Sequence, residues 1–180
     1  MDNGVLIREA VAGDAGEIAR VHVEGWRTGY AGIMPGEFLR AQSVEKSRAS
    51  REKILKDNSE RVLVAEKEGG VCGFISGGKP RADLPGFDSE IYALYVDQKD
   101  RGLGAGAALM RVFFEREAGR GAHNCALWVL EENPSRKFYE KMGGVLLSFK
   151  KTGVFGGKTM TEVSYAWNEL KLGVFGGQNT

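Results

Sequence analysis

The sequence predicts an α/β fold: one mixed sheet with helices on both faces. Three observations carry this. Alternating apolar and polar stretches, the mark of half-buried strands, occur both as hairpin pairs and singly between helical stretches. Hairpins make antiparallel neighbours and strand–helix–strand crossovers make parallel ones, so the two together require a mixed sheet. The length of 180 residues suits one domain with its own core, read as residues 1–170, with 171–180 as a loose C-terminal tail.

In chain order, "VLIREA" alternates as a short first strand. Asp14 stands where an N-cap is expected, with Glu17 three residues on as in a capping box, and Ile18, Val21 and His22 recur at helical spacing; the helix is predicted over about 14–28. "IMPGEFLRAQSVEKSRASREKILKD" is charged with spaced apolar residues, one or two short helices. A hairpin follows, Val62–Glu66 and Val71–Gly77 about a turn at Gly69-Gly70. After the loop "PRADLPGFD", a strand runs over 90–97 and meets a glycine-rich loop. The next helix places Leu109, Val112 and Phe113 on one face, and a strand follows over 124–131. "NPSRKFYEKMGG" is punctuated as a short helix, with Asn133 as N-cap, Pro134 at the first helical position and Gly143 just past the end. Two strands about the turn Phe155–Lys158 finish the fold; the pentapeptide "GVFGG" stands at that turn and again at Gly173–Gly177.

The totals exclude several classes. Lys+Arg 25 against Asp+Glu 24, without a dense basic run, argues against nucleic acid as a partner. No apolar run reaches membrane-spanning length, and "MDNGVLIREA" lacks the basic and apolar regions of a signal peptide. Cys72 and Cys125 sit in apolar strands without a CxxC partner, which reads as two reduced thiols in a cytoplasmic protein rather than a disulfide. No His, Cys, Asp or Glu constellation suggests a metal; His22 and His123 read as structural.

Chemistry concentrates in "VDQKDRGLGAGAALM", where Gly102, Gly104 and Gly106 alternate just before a helix. Such a loop brings backbone N–H groups and a helix dipole up to an anion. A nucleotide-hydrolase loop would need G-x-x-x-x-G-K-[ST]; "TGVFGGKT" has Thr152 where the first glycine belongs. Gly102, Gly104 and Ala107 satisfy the dinucleotide fingerprint G-x-G-x-x-[GA], with Glu131 as a ribose-binding acid. That motif should follow the first strand directly, however, and four polar residues, Gln98 to Arg101, separate it here from its strand.

Taken together, "IYALYVDQKDRGLGAGAALM" and "ENPSRKFYEKMGG" resemble the GNAT superfamily of N-acetyltransferases. Their cofactor loop [QR]-x-x-G-x-[GA] is matched by Arg101, Gly102, Leu103, Gly104, Ala105 and Gly106, and Asn-Pro-x-x-x-Phe-Tyr-Glu-Lys-x-Gly follows at family spacing. The resemblance runs from Val5 to about Trp167. Many members have Gly-Phe after the tyrosine helix; here Gly143-Gly144-Val145 and the later Glu162–Trp167 resemble a subgroup with "GG".

The resemblance implies a splayed sheet, acetyl-CoA as co-substrate and direct transfer to a primary amine. It implies backbone contacts to the pantetheine arm from Leu94, Tyr95 and Val96, the coenzyme's phosphates on Arg101–Gly106 with a weaker contribution from Lys141, and a hydrogen bond from Asn133. Ser135 stands where alanine is common. Tyr139 falls where the family has a tyrosine beside the cofactor sulfur; a phenol with a pKa near ~10 can protonate a leaving thiolate. Its alternative is core packing beside Phe138 and Met142. Glu90 is the candidate proton acceptor for the amine, its alternative being an exposed charge at the strand start with the amine arriving already neutral, and strand alternation groups it with Tyr92 and Leu94. Trp26, Arg27 and Tyr30 are expected walls of the acceptor site, or else packing. A small-molecule amine is the first expectation, a protein amine the second, and a non-catalytic acyl-CoA sensor the rival class. Relatives that pair through late strands imply that a homodimer is plausible.

Overall fold

The computed structural model describes residues 4–81 and 83–170. Its strands are β1 (Val5–Glu9), β2 (Arg61–Lys67), β3 (Gly70–Gly78), β4 (Ser89–Val96), β5 (Cys125–Leu130), β6 (Val145–Phe155) and β7 (Lys158–Trp167). Its helices are α1 (Ala15–Gly29), α2 (Gly36–Arg40), α3 (Val44–Asp57), α4 (Ala105–Gly119) and α5 (Arg136–Lys141). The seven strands form one sheet in the order β1-β2-β3-β4-β5-β7-β6. Only β4 and β5 are parallel, joined by the α4 crossover; the other pairs are antiparallel. The second GVFGG copy and the expected tail lie outside the described residues.

Alternation on the strands feeds two cores. Leu63, Ala65 and Ile75 face α4, packing with Leu109, Met110, Phe113 and Phe114. Val62, Val64 and Phe74 point the other way, against Ile18 and Val21 of α1 and Ile54 and Leu55 of α3. Fully burying such a side chain contributes about 1.5–3 kcal/mol, so both faces are anchored.

Three local expectations are corrected. Asp14 does not cap α1 with its side chain: a 3-10 turn over Ala12–Asp14 precedes the helix, and the carboxylate accepts from the Val11 N–H at 2.7 Å and pairs with Arg8 at 2.7 Å. The β2–β3 turn is Glu68-Gly69, with Lys67 opposite Gly70; both turn residues have positive φ, 52° and 78°, as a two-residue hairpin turn demands. Helix α4 begins at Ala105, so Gly106 lies inside its first turn.

The feature that positions the site is a bulge in β4. Gly77 pairs with Ile91 and Ser76 with Ala93, which leaves Tyr92 as an extra residue. The strand's phase flips there. Ile91, Leu94 and Val96 pack on the α4 side, whereas Ala93 and Tyr95 pack with α1 and α3. Glu90 therefore shares a face with Ala93 and Tyr95 and not, as simple alternation predicts, with Leu94. The β4–β5 ladder covers Ser89–Ile91 against Cys125–Leu127 and stops where the bulge begins. A bulge bends and twists its strand, so β4 and β5 diverge into a wedge.

Candidate active site

One edge of the wedge is Tyr92–Val96 of β4, paired only with β3; the other is Trp128–Leu130 of β5, paired only with β7. The backbone groups facing each other across it have no ladder partner, so an extended polar chain laid between them finds hydrogen-bonding groups on both sides.

The glycine loop closes one end. Gly102 and Gly104 have φ of 78° and 92°, a region that strains any residue with a Cβ, and Gly104 is the N-cap of α4. Gly106 is different: a Cβ there would meet Phe138 at 3.4 Å and Val96 at 3.7 Å, so its smallness serves helix packing. Residues 101–104 are exposed while Ala105 is buried, which presents the loop's amides and the 15-residue helix's positive end to solvent. This backbone shape suits a pyrophosphate. Two aspartates hold the loop in place. Asp97 accepts both arms of the Arg20 guanidinium at 3.0 Å, and its N–H reaches the Cys72 carbonyl at 2.8 Å; Asp100 binds Lys67 at 2.7 Å. Arg101 folds back over the strand end, donating to the Val96 carbonyl at 3.1 Å and the Thr28 hydroxyl at 3.2 Å. A cavity of about 230 Å³ opens beside these residues, lined by Gly25, Arg27, Thr28, Val96 and Gln98 among others.

Four predicted site residues converge. The Tyr30 hydroxyl lies near the side chains of Tyr95 and Asn133 and close enough to Tyr139 to influence its ionisation. Asn133 also uses its side-chain oxygen to accept the Ser135 N–H at 2.8 Å, which closes the turn ahead of α5; the helix itself starts at Arg136 with Ser135 as its N-cap, not Asn133 as expected. Tyr139 is 9% exposed, packed against Phe138, Tyr165 and Trp167. Burial first, then neighbouring Tyr30, pushes its pKa above the usual phenol value; burial does the same to Tyr95 and Tyr30. These phenols remain proton donors over the whole neutral range.

The remaining predicted residues lie apart from that cluster or outside it. Trp26 packs among Tyr30, Phe38 and His22. Arg27 donates to the Gln42 carbonyl at 2.7 Å. Ser135 and Lys141 are exposed on and before α5. Glu90 is 0% exposed at the closed end of the wedge. Arg81 binds it there through its backbone N–H at 2.8 Å and its guanidinium Nε at 2.7 Å, with a further contact from the other guanidinium arm. His22 is half-buried beside Phe74 and Tyr95, and this partial burial lowers its pKa to about 4, as suits a neutral packing residue. Among the described residues no group of His, Cys, Asp and Glu is arranged to hold a metal ion.

Sequence reading missed two features. Arg81 sits in a loop without periodic pattern, and nothing in the sequence links it to Glu90. The hairpin tip after β6 docks over α2: Phe155 meets Phe38 edge to face with ring centres 6.3 Å apart, and Lys158 donates to the Ile33 carbonyl at 2.8 Å. This packs the hairpin tip into one cluster with Leu130, on the β5 edge of the wedge. The first GVFGG copy was the signal, though an unreadable one.

The model of the acetyltransferase (GNAT) family matches residues 25–144. The uncharacterized N-acetyltransferase YuaI of Bacillus subtilis (strain 168) is 33% identical over 167 residues, which cover 92% of this chain and 94% of that protein. Two solved structures share the fold. The PaiA N-acetyltransferase of Thermoplasma acidophilum in complex with coenzyme A has a TM-score of 0.68 at 23% identity, covering 88% of this chain and 97% of its own. The putative acetyltransferase YncA of Salmonella typhimurium, solved with acetyl-CoA, has a TM-score of 0.69 at 22% identity, covering 93% and 94%. With the splayed strands, the glycine loop opening α4 and the tyrosine beside the wedge, these matches place the chain in the GNAT acetyltransferase family.

Proposed function

We propose that this protein transfers an acetyl group from acetyl-CoA directly to the primary amine of a small molecule. The observation that carries the reading is the β4–β5 wedge, which ends at the Gly102–Gly106 loop and has Tyr30, Tyr95, Asn133 and Tyr139 gathered on its walls. The loop amides would take the pyrophosphate, the unpaired edges at Leu94, Tyr95 and Val96 the pantetheine arm, and Asn133 a polar group on that arm. Acetyl-CoA supplies a thioester carbonyl; a β4 backbone N–H near Val96 would polarise it. As the amine nitrogen bonds to the carbonyl carbon and the carbon–sulfur bond breaks, Tyr139 donates its hydroxyl proton to the sulfur. The amine's proton passes to Glu90 once Arg81 yields its hold there. The hairpin tip, packed through Phe155 with Phe38 and Leu130 on the β5 edge of the wedge, supports a small acceptor over a protein chain.

The test is calorimetric titration with acetyl-CoA, with NADH as control, followed by thiol release in the presence of an amine panel. Binding of acetyl-CoA and amine-dependent thiol release are expected. Preference for NADH, or no amine-dependent release, overturns the reading. A homodimer through edge strand β6, which exposes Val145, Leu146 and Phe149, belongs to the same proposal and is read by sedimentation.

A further inference from the structure

The Arg81–Glu90 pair sits where the acceptor must arrive. Glu90 is 0% exposed and depends on Arg81, whose own side chain is 52% exposed and lies over the Tyr92 ring at 5.1 Å. An ammonium reaching Glu90 has to replace that guanidinium. A buried carboxylate tolerates the exchange, because one cation follows another. The displaced guanidinium then lacks an anion: its neighbour Asp83 is held by Lys151 at 2.7 Å.

Two more polar atoms stand on the same face of the neighbouring strands. Ser76 of β3 pairs with Ala93, and its phase is that of Phe74, on the α1 side. Trp128 of β5 shares its phase with Ala126 and Leu130, also away from α4; Ala126 is the residue opposite Glu90. The Ser76 hydroxyl, on a residue 1% exposed, and the Trp128 indole N–H are buried with no protein hydrogen-bond partner. Both can donate, and buried donors are matched by acceptors in a working assembly. The face thus holds one anion engaged by a removable cation, flanked by two donors without an acceptor.

We infer that this face is the acceptor subsite and that it takes a compact zwitterion, an amine with a carboxylate close by, as in an α-amino acid. The inference rests on the transferase reading above and deepens it. The ammonium replaces the guanidinium at Glu90 and the carboxylate replaces Glu90 at Arg81, so every charge keeps a partner. Arg81 suits the second task, since its planar fork binds a carboxylate through two parallel hydrogen bonds. Ser76 and Trp128 add donors to the carboxylate or to a polar side chain beyond it. Arg81 is thereby the residue that sets specificity.

The test compares free α-amino acids with their own carboxamides as acceptors for the full-length protein, with thiol release as readout. A carboxamide keeps the amine, makes it less basic and removes the carboxylate, so reactivity alone favours it. The expected result is a kcat/KM at least about tenfold higher for the free acid of the preferred side chain, a discrimination typical of a site built to pair a polar group. Arg81→Gln is expected to bring that ratio close to one through a raised KM for the acid; acetyl-CoA titration confirms that the variant is folded, and the wild-type comparison decides alone if it is not. Amines and carboxamides acetylated as well as or better than the acids overturn the inference and leave the transferase reading standing. Acetyl-CoA binding without transfer to any amine sinks both.

Discussion

Replacing Tyr139 by Phe removes one hydroxyl and little else. The ring is held by Phe138 at 5.5 Å and by Tyr165 and Trp167 at 6.3 Å, all contacts that phenylalanine keeps. The stability change is therefore small, about 1 kcal/mol for a single lost hydrogen-bonding group. The catalytic change is not. A positioned general acid contributes typically about 10²–10⁴ in rate, or about 3–5 kcal/mol at about 1.36 kcal/mol per tenfold. In steady-state assays of thiol release, kcat and kcat/KM for the acceptor should both fall by at least about a hundredfold, with acetyl-CoA affinity retained. Because burial holds the Tyr139 phenol above its ordinary pKa, the wild-type rate should not lose its acid on the alkaline side until beyond about pH 10. A variant within about threefold of wild type, melting at the same temperature, would refute the assignment and leave Tyr139 a packing residue.

Three further outcomes follow from the geometry. Gly104→Ala puts a Cβ at φ 92° on the N-cap of α4; the strain is about 1–2 kcal/mol, and calorimetry should show acetyl-CoA binding at least about tenfold weaker, whereas unchanged affinity would remove the loop from phosphate binding. Gly156→Ala would place a Cβ 2.6 Å from the Phe38 Cβ, while at Gly157 nothing lies within 4 Å; the first should lower the melting temperature more than the second, by about 2–4 °C per kcal/mol, and equal effects would mean that the hairpin tip is not docked on α2. His22 has a folded pKa of about 4 against about 6.5 unfolded, so as pH falls through that interval only the unfolded chain takes up the proton and stability drops, by roughly 2–3 kcal/mol at the lower end. Urea midpoints at pH 7 and pH 4.5 should show that loss, and His22→Phe should reduce it; an identical slope in the variant would assign the acid sensitivity elsewhere.

Sequence reading worked wherever the signal is local. Hairpins, the helix with Leu109 and Phe113 inward, the capped turn at Asn133 and the glycine loop all arise from residues a few positions apart, and each lies within a residue or two of its expected bounds. It failed where another residue competes for a group or a neighbouring strand shifts the register. Asp14 reads as a capping box until Arg8 and the Val11 N–H take its carboxylate. Glu90 reads as aligned with Leu94 until the extra residue, Tyr92, opposite Ser76 and Gly77 flips the strand. Bulges leave no mark in a strand's composition, because Tyr92 is as good a β residue as its neighbours.

What the sequence by itself determined is the list of parts: a mixed α/β sheet, a loop shaped for an anion by Gly102 and Gly104, and a tyrosine on a short helix downstream. Those follow from backbone sterics and hydrophobic period, which act within a few residues. Only the tertiary structure decided that β4 and β5 part at Ile91, that Tyr30 just past α1 comes near Tyr95, Asn133 and Tyr139 across the wedge, and that Arg81 stands guard on Glu90. Apart from Arg81 and Glu90, nine positions apart, those features join elements tens of positions apart, and packing of both sheet faces, not any local preference, brings them within reach.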